Sequence, residues 1–387
     1  MWTPAKPARR WRPRAAVVAV TTMAALLAAP APAWAATWSV VPSANATSFD
    51  NVLFGIDALT PSRAWAVGYA DTGTLPTRRP VIQRWDGTAW RLMPSPTLPG
   101  SGELRDVSAV SATDAWAVGF GSTGNGDNPL IEHWDGQRWT GFKSPPVSTL
   151  NYLLDVKAFT STAAFAVGSA NVPGSLAFQT LIQRWNGQSW SVVPSPNPAP
   201  FENHLLGVDG TGPADVWAVG FTTNGVDGVD QPLVTHFDGE AWRTVATPPV
   251  GSATLQDVVA IAPNNVWAVG WTFSLQLFNQ APYVLHWNGT AWRSVALPPL
   301  PGARFYGVTA LDANRVYAVG ESSGPGRINS LIARWNGTAW AVESTPNPST
   351  INRLYDADAA GTATVWTAGA RGNTITQRTL TVRTTNG

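Results

Sequence analysis

The sequence predicts an all-β protein, a seven-bladed β-propeller of four-stranded antiparallel blades, and three observations support this prediction. An Ala-Trp-Ala-Val-Gly segment around Trp65 recurs with small variations at spacings of 49 to 52 residues. An Asp-Gly or Asn-Gly pair follows it in the first six repeats, and no stretch shows the apolar period of a helix. Such a fixed period is typical of a unit that must stack on its neighbours to bury its apolar face. The repeats are centred on Trp65, Trp116, Phe165, Trp217, Trp267, Tyr317 and Trp366.

Each repeat is interpreted as four short strands. Strand one is apolar and alternating, as in residues 104–110, and strand two is the Trp-Ala-Val-Gly segment. After strand three, a pair such as Asn186-Gly187 predicts a tight hairpin turn, because these residues tolerate positive φ. Strand four carries a tryptophan such as Trp190, and proline residues end it. We expect blades near residues 49–95, 104–146, 152–198, 204–249, 254–299, 304–348, and 353–387 together with 36–43.

The two ends of the chain complement each other. The last repeat contains its first three strands and stops at Asn386-Gly387, where the turn before strand four is expected. Residues 36–43, Ala-Thr-Trp-Ser-Val-Val-Pro-Ser, match the fourth strand at 188–195, Gln-Ser-Trp-Ser-Val-Val-Pro-Ser. We therefore expect the N-terminal strand to complete the last blade and close the ring, which removes exposed sheet edges. An open β-solenoid of seven repeats is the alternative, and it gives no reason for the complementary ends.

Residues 1–35 are typical of a signal peptide. Five positive residues between Lys6 and Arg14 precede a small-residue apolar stretch at 15–29, and Ala33-Trp34-Ala35 forms an A-x-A cleavage site. An uncleaved membrane anchor is the weaker alternative, because the apolar stretch is shorter than the roughly 20 residues of a membrane span. We expect a secreted, extracellular, bacterial protein whose single domain covers residues 36–387. The Arg9-Arg10 pair leaves the export route, general or twin-arginine, open.

Composition excludes several functional classes. The chain has no cysteine, which excludes disulfides, thiolate metal sites and cysteine nucleophiles. Without the five positive charges of the leader, 20 Lys and Arg remain against 24 Asp and Glu. The mature chain therefore lacks the basic surface that nucleic-acid binding requires. We expect a monomer with no nucleic-acid partner and no membrane span after the leader is removed.

The repeat resembles units of secreted bacterial β-propellers over residues 36–387. Its period, strand-two glycine and late tryptophan are similar to a kelch unit, although the sequence has no Gly-Gly doublet. The Asp-Gly-x-x-Trp turn is similar to the Asp-box of sialidase-type propellers and to photosystem-assembly-factor-like propellers, with a spacing from Asp86 to Trp90 that is one residue shorter than in an Asp-box. The resemblance implies the fold and leaves the function open, because propellers host many unrelated activities.

Residues that recur in every blade are interpreted as structural. The strand-four tryptophans could stack on sugars, but their identical repeat position favours packing between blades. His133, His236 and His286 occupy the position that arginine holds in other blades, so they lie on different blades and are not expected to share a metal.

Aspartates on strand one are the weak candidates for a metal site. Strand one lines the channel of a propeller, and carboxylates converging there would raise one another's pKa or bind a hard cation such as calcium. The alternative is that each aspartate caps backbone N–H groups of its own or the adjacent blade. The candidate ligands are Asp106, Asp155, Asp257 and Asp356, with Asp57, Asp209, Asp358 and Lys157 on the same strands.

The candidate partner-binding residues lie between strands two and three. Most of these connections are polar, but residues 271–278 read Trp-Thr-Phe-Ser-Leu-Gln-Leu-Phe, and exposed apolar patches usually mark contact sites. The alternative is that these residues fold back over the blade. The candidates are Trp271, Phe273 and Phe278, with Phe178, Arg78 and Arg79 in the equivalent connections of other blades.

The sequence thus favours a secreted, non-catalytic binding scaffold for a protein or glycan partner. Its expected surface is the face that carries the strand two–three connections and the links between blades. The alternative is an extracellular carbohydrate-active enzyme, a hydrolase or lyase, with its site at the channel mouth. No recognised catalytic motif is present, and a copper radical oxidase similar to galactose oxidase would need a cysteine.

Overall fold

The computed structural model describes residues 36–75, 77–122, 126–225, 228–274 and 279–387. The expected signal peptide therefore lies outside the described residues. Within the described ranges the chain forms strands and no helix, so none of them holds a helix that could cross a membrane. In chain order the strands are β1 (Ser39–Val41), β2 (Asn51–Thr60), β3 (Arg63–Asp71), β4 (Arg78–Trp85), β5 (Trp90–Met93), β6 (Gly102–Ser111), β7 (Asp114–Ser122), β8 (Asp127–Trp134), β9 (Trp139–Phe142), β10 (Asn151–Thr160), β11 (Ala163–Asn171), β12 (Phe178–Trp185), β13 (Trp190–Val193), β14 (Glu202–Gly212), β15 (Asp215–Thr223), β16 (Asp230–Phe237), β17 (Trp242–Thr244), β18 (Ala253–Ala262), β19 (Asn265–Ser274), β20 (Asn279–Trp287), β21 (Trp292–Ser294), β22 (Ala303–Asp312), β23 (Arg315–Gly324), β24 (Arg327–Trp335), β25 (Trp340–Val342), β26 (Ile351–Ala360), β27 (Thr364–Gly372) and β28 (Gln377–Thr384).

The strands fall into groups of four that fit seven blades. The first five groups, from β2–β5 to β18–β21, are separate four-stranded antiparallel sheets. The remaining strands belong to one eight-stranded sheet, because a single parallel pair, Ile328 with Ile351, joins β24 to β26. In this sheet β1 pairs antiparallel with β28, with Val40 opposite Val382, so the N-terminal strand supplies the fourth strand of the last group as expected.

One aromatic contact recurs between neighbouring blades. The strand-four tryptophan of each blade packs edge-on against the strand-two aromatic ring of the preceding blade, as Trp139 does on Trp65 with ring centroids 5.1 Å apart. The same contact joins Trp38 of the last blade to Tyr317 of blade six, and Trp90 of blade one to Trp366 of the last blade. These tryptophans are buried, which confirms the packing interpretation.

The arginines and histidines of strand three also have a structural role. His133 lies on the Trp116 ring with centroids 4.2 Å apart, and its Nε2 lies 2.8 Å from Asp114 Oδ1. Arg84 occupies the same place in blade one, with its guanidinium 5.4 Å from the Trp65 ring centroid. Histidine therefore substitutes for arginine over the strand-two ring.

The innermost strand of every blade contains a β-bulge near its start. In blade one the register skips Phe54, because Leu53 pairs with Gly68 and Gly55 with Val67. The strand-two glycine makes room for this bulge, because a Cβ on Gly68 would collide with the Val52 carbonyl oxygen. In each of the other six blades a Cβ on the strand-two glycine would collide with the equivalent carbonyl oxygen. The bulge turns one extra side chain per blade toward the channel.

In three blades a buried residue of strand three hydrogen-bonds to the chain segment that leads into that blade. Gln83 accepts a bond from Ala44 N and donates one to Ala44 O, each at 2.9 Å. Gln183 accepts one from the Ser144 hydroxyl at 2.9 Å and donates one to the Pro145 carbonyl at 3.2 Å. At this position blade two has Glu132, which is fully buried. Ser95 Oγ donates to its Oε1 at 2.9 Å, but Oε2 has no hydrogen-bond partner among the described residues. Burial raises the pKa of Glu132 to about 7.

We predict that Glu132→Gln stabilises the protein at alkaline pH. The folded protein holds a proton on Glu132 more tightly than the unfolded chain does, because the folded pKa lies above the usual 4.5. The free energy of unfolding therefore falls as the pH rises from 4.5 to about 7. Above pH 7 the ionised Glu132 exerts its full destabilising effect. An amide can donate to the link carbonyl, as Gln83 and Gln183 do. Chemical unfolding should show a gain of up to ~3 kcal/mol at pH 8 and little gain at pH 5. An equal or lower stability at pH 8 would contradict this assignment.

Candidate functional site

The seven bulged residues form a mouth at the upper end of the channel. We define the upper face as the one with the strand two–three connections and the links between blades. The mouth is a cavity of about 190 Å³ above a ring of aspartates. Its wall consists of Phe54, Arg105, Leu154, Leu206, Gln256, Tyr306 and Tyr355.

Aromatic rings follow one side of the mouth as a continuous arc. Tyr355 lies between Phe54 and Tyr306, with ring centroids 5.3 Å and 5.6 Å away. The arc extends to Trp271, 5.6 Å from Tyr306, and to Tyr69, 5.7 Å from Phe54. These contacts join blades five, six, seven and one, and the three rings in the mouth are half-buried. The opposite wall has Leu154 and Leu206, so the mouth is aromatic on one side and aliphatic on the other.

The upper carboxylates, Asp106, Asp155, Asp257 and Asp356, form the floor of the mouth. Each one accepts the N–H of a residue in the next blade, so the capping alternative describes their hydrogen bonds. The donors are Val156 to Asp106 at 3.2 Å, Val208 to Asp155 at 2.6 Å, Val308 to Asp257 at 2.7 Å and Ile56 to Asp356 at 2.8 Å. The last three carboxylates also accept the following N–H of their own strand at 2.7 Å. They therefore hold blades together.

Aspartate alternates with glycine around this ring except at one place. A Cβ on Gly55 would lie 2.6 Å from Asp106 Cα, and one on Gly307 would lie 2.8 Å from Asp356 Cα, so glycine makes room for the neighbouring aspartate. Seven positions cannot alternate strictly, and Asp106 and Asp155 are neighbours. Burial and the charge of Asp155 raise the pKa of Asp106, and burial also raises the pKa of Asp155. Ionising both of these neighbouring carboxylates is therefore unfavourable.

A second set of polar residues lies deeper in the channel. Asp57 accepts the Ala109 N–H at 3.1 Å and Asp358 accepts the Ala58 N–H at 2.7 Å, again across blade boundaries. Burial and repulsion from Asp358 raise the pKa of Asp57 to about 8. Lys157 Nζ lies 2.7 Å from Asp209 Oδ1, and this carboxylate raises the pKa of the lysine. The channel thus contains its own counter-cation.

The structure places the blade-five candidates differently from the expected loop. β19 continues to Ser274, so Trp271 and Phe273 lie in a strand, and the sequence-based boundary of the loop was wrong. Trp271 is half-buried against Tyr306, as the fold-back alternative expects, and the Arg304 guanidinium lies 5.4 Å from its ring centroid. Phe273 lines a groove of about 640 Å³ with Val250 and Gln280. Phe278 lies outside the described residues.

The other three candidates also lie at the starts of strands rather than in loops. The Phe178 ring lies 6.3 Å from Tyr152 and 5.2 Å from His204, between blades three and four. Arg78 donates to Glu103 at 2.5 Å and lies over the Tyr69 ring. Arg79 donates to the carbonyls of Leu98 and Gly100 at 2.7 and 3.1 Å, which fixes the link to the next blade. All three have intramolecular contacts, and their role toward a partner stays a prediction.

The sequence prediction missed the mouth residues. Phe54, Tyr306 and Tyr355 follow an alternating strand pattern, which gives no sign of a bulge, so they were not assigned to the channel. The sequence carried one signal for these residues. The residue just before the strand-one Asp or Gly differs in type from blade to blade, whereas the positions on either side of it repeat.

Comparisons with known proteins support the fold. No protein-family model and no curated protein matches the sequence. The chain is similar to the solved structure of YCF48 bound to D1 peptide, with a TM-score of 0.55 and 15% identity over 92% of this chain and 99% of that one. It is also similar to YCF48 from Cyanidioschyzon merolae (0.55, 16%, 90% and 99%). A protein of unknown function from Dyadobacter fermentans DSM 18053 gives 0.49, 12%, 73% and 93%. The two YCF48 structures support the β-propeller architecture, and at these identities the likeness concerns the fold alone.

We predict opposite effects of two isosteric substitutions in the upper carboxylates. Asp106→Asn keeps an acceptor for Val156 and removes a buried charge next to Asp155, so the melting temperature at pH 8 should rise. Because the folded pKa of Asp106 lies above 3.8, its titration makes stability fall with rising pH, and this substitution should weaken that dependence. Burial also raises the pKa of Asp356, but this carboxylate accepts two N–H groups, from Ile56 and Ala357, so Asp356→Asn loses one acceptor and should cost about 1–3 kcal/mol. The same sign for both variants would contradict this difference in hydrogen bonding between the two carboxylates.

Calcium binding at the upper carboxylates is testable by metal removal. The described residues hold no group of three or more His, Cys, Asp or Glu that could hold a metal ion, and backbone N–H groups already engage the upper carboxylates. We therefore expect the same melting temperature in excess calcium and in EDTA, measured by scanning calorimetry. A calcium-dependent rise of several degrees that Asp257→Asn abolishes would instead establish a cation site.

Proposed function

We propose that this protein is an exported binding scaffold that holds a segment of a partner protein on its upper face, with one side chain of the segment in the mouth. The observation that carries the proposal is the aromatic arc, Trp271–Tyr306–Tyr355–Phe54–Tyr69. It crosses four blades, and at the mouth position of Phe54, Tyr306 and Tyr355 the remaining blades have arginine, leucine or glutamine. The repeat does not require these rings. Aromatic residues contribute much of the energy at protein contacts.

The size of the mouth favours a side chain over a larger ligand. Small-molecule sites usually enclose about 300–1,000 Å³, and the mouth has only about 190 Å³. The groove beside Phe273 is larger, about 640 Å³. Gln280 lines this groove and accepts a hydrogen bond from Arg304, which also lies 3.5 Å from the Tyr306 hydroxyl in the mouth. An extended segment could thus place one side chain in the mouth and its apolar neighbours in the groove.

Beside hairpin turns of the opposite face the described residues form pockets of about 480 and 390 Å³, which are lined mainly by residues at repeated positions, such as Trp242, Arg184 and Trp85. The hairpin turns of this face repeat in six blades, and each turn is closed by its own Asp or Asn side chain, as Asp86 Oδ1 accepts the N–H groups of Thr88 and Ala89 at 2.8 Å. Such turns are explained by the fold. The solved YCF48 complex contains a D1 peptide, and a peptide ligand for this chain is proposed in line with it.

Ring closure and export are part of the proposal. The pairing of β1 with β28 and the bonds from Ile56 and Ala58 to Asp356 and Asp358 support a closed ring of seven blades. The sequence of residues 1–35 supports export and cleavage after Ala35.

One observation favours the enzymatic alternative. The upper carboxylates converge beneath the mouth, as a hydrolase or lyase site there would require. Their oxygens, however, already accept backbone N–H groups of neighbouring blades. Release of reducing ends from a polysaccharide panel, lost in Asp155→Asn, would establish the enzyme in place of the scaffold.

We predict that Leu206→Arg abolishes peptide binding without unfolding the protein. Blade two already carries Arg105 at this position, so the fold tolerates arginine there, and the longer side chain would fill the mouth. A displayed peptide library would be selected on the unmodified protein, and the affinity of the selected peptides should fall at least tenfold for this variant.

The matched control is Leu92→Arg on the outer strand β5, where Leu92 is 44% exposed. It should bind the selected peptides normally, and both variants should melt near the parent temperature. Selected peptides that bind Leu206→Arg unchanged, or a library that yields no binder, would overturn the proposed site.

A further inference from the structure

Glu343 is a buried acid at a position that is otherwise apolar. Three residues after the strand-four tryptophan, blade six has Glu343, whereas the other blades have Met93, Phe142, Val193, Val245, Val295 and Val41. The residue is 5% exposed. Burying a carboxylate costs several kcal/mol unless a positive charge and hydrogen bonds compensate. This departure from the repeat therefore points to a specific cationic partner.

The group that faces Glu343 is the backbone nitrogen of Ala36. Ala36 N–H donates to Glu343 Oε2 at 2.9 Å, and Ala36 is itself 7% exposed. The second oxygen, Oε1, has no hydrogen-bond partner among the described residues. Burial raises the pKa of Glu343, whereas the Ala36 N–H, the Arg334 guanidinium and the Trp38 indole lower it. Tyr317 is another titratable group near this carboxylate: burial raises the pKa of Tyr317, and the charge of Glu343 raises it further.

The other blades do not need such a residue. In blades one to six the N–H equivalent to that of Ala36 donates to the Asp or Asn of its own hairpin turn at 2.8–3.1 Å. In the last blade no hairpin turn connects strand three to strand four, because strand four is the N-terminal strand β1. Asn386 Oδ1 accepts the Thr37 N–H there at 3.1 Å, and Glu343 from blade six accepts the Ala36 N–H.

We propose that Glu343 is the receptor for the α-ammonium group of Ala36 after proteolytic removal of residues 1–35. A signal peptidase hydrolyses the C–N bond between Ala35 and Ala36: the hydroxyl of water goes to the Ala35 carbonyl carbon and its other hydrogen to the nitrogen of Ala36. The proton that the new carboxyl group releases then converts the amine to an ammonium group. This group brings a positive charge and three donors to a site where the uncut chain supplies one N–H. It can bind both oxygens of Glu343, so processing strengthens the junction of blades six and seven.

This inference rests on the proposed cleavage after Ala35, and the experiment tests the role of Glu343 separately from the cleavage itself. Protein that starts at Ala36, produced from a fusion whose protease leaves no extra residue, is compared with protein that carries Gly-Ser before Ala36. We expect the Ala36 form to melt about 3 °C or more above the extended form. NMR titration should place the pKa of its α-amino group at least one unit above the ordinary 7.7–8.0. Equal melting temperatures or an ordinary α-amino pKa would overturn the receptor role.

Two variants make the test specific. Glu343→Gln should remove both the length dependence of melting and the raised α-amino pKa. Glu343→Met introduces the residue that blade one has at this position, so it should fold, and it should also melt independently of length. A length effect that persists in either variant would overturn the proposal. N-terminal sequencing of the exported protein tests cleavage separately, because a start other than Ala36 refutes the processing step whatever the recombinant proteins show.

Discussion

The edge-on contact between a strand-four tryptophan and the preceding blade is the interaction on which the rest of the structure depends. A single blade cannot cover its strand-two ring, and the next blade covers it with a tryptophan whose centroid lies 5.1–5.8 Å away. Because the contact needs the same geometry each time, the blades repeat closely in sequence. Trp90 also contacts Trp366, so the first blade is packed against the last. The mouth, the upper carboxylates and the Glu343 site all lie between blades held in this way.

Much of the fold could be predicted from the sequence because its signals are local or repeated. The Asn186-Gly187 type of turn, the strand-two glycine and the match between residues 36–43 and 188–195 identified the strands and the pairing of β1 with β28. The mouth could not be predicted, because Phe54, Tyr306 and Tyr355 come together only through bulges in blades far apart in sequence. Trp271 was noticed as an exception to the repeat, but its strand position and its contact with Tyr306 depend on the neighbouring blade. Glu343 also breaks the repeat, but the sequence analysis did not single it out, and only the structure showed that Ala36 faces it.

Residues that repeat and residues that do not have different roles in this protein. The repeated tryptophans, turn residues and strand-three arginines or histidines stabilise the blades. The upper carboxylates belong with them, because they accept N–H groups across blade boundaries, and the odd number of blades forces Asp106 and Asp155 together. The exceptions concentrate in two places, the aromatic side of the mouth and the junction where the chain ends meet. We propose the first as the site of a partner and the second as the receptor for a processed N-terminus.

The central claim is that β1 completes the last blade and so joins the two ends of the chain. Because the sequence has no cysteine, a single engineered disulfide tests this directly. Val40 lies opposite Val382 in the antiparallel pair, where Cα atoms are about 4.5–5.5 Å apart and a disulfide can form without backbone movement. Mild oxidation of a Val40→Cys, Val382→Cys protein should give a monomeric, fully cross-linked species with a higher melting temperature, as mass spectrometry and calorimetry would show. Free thiols, or disulfides only between molecules, would contradict the account.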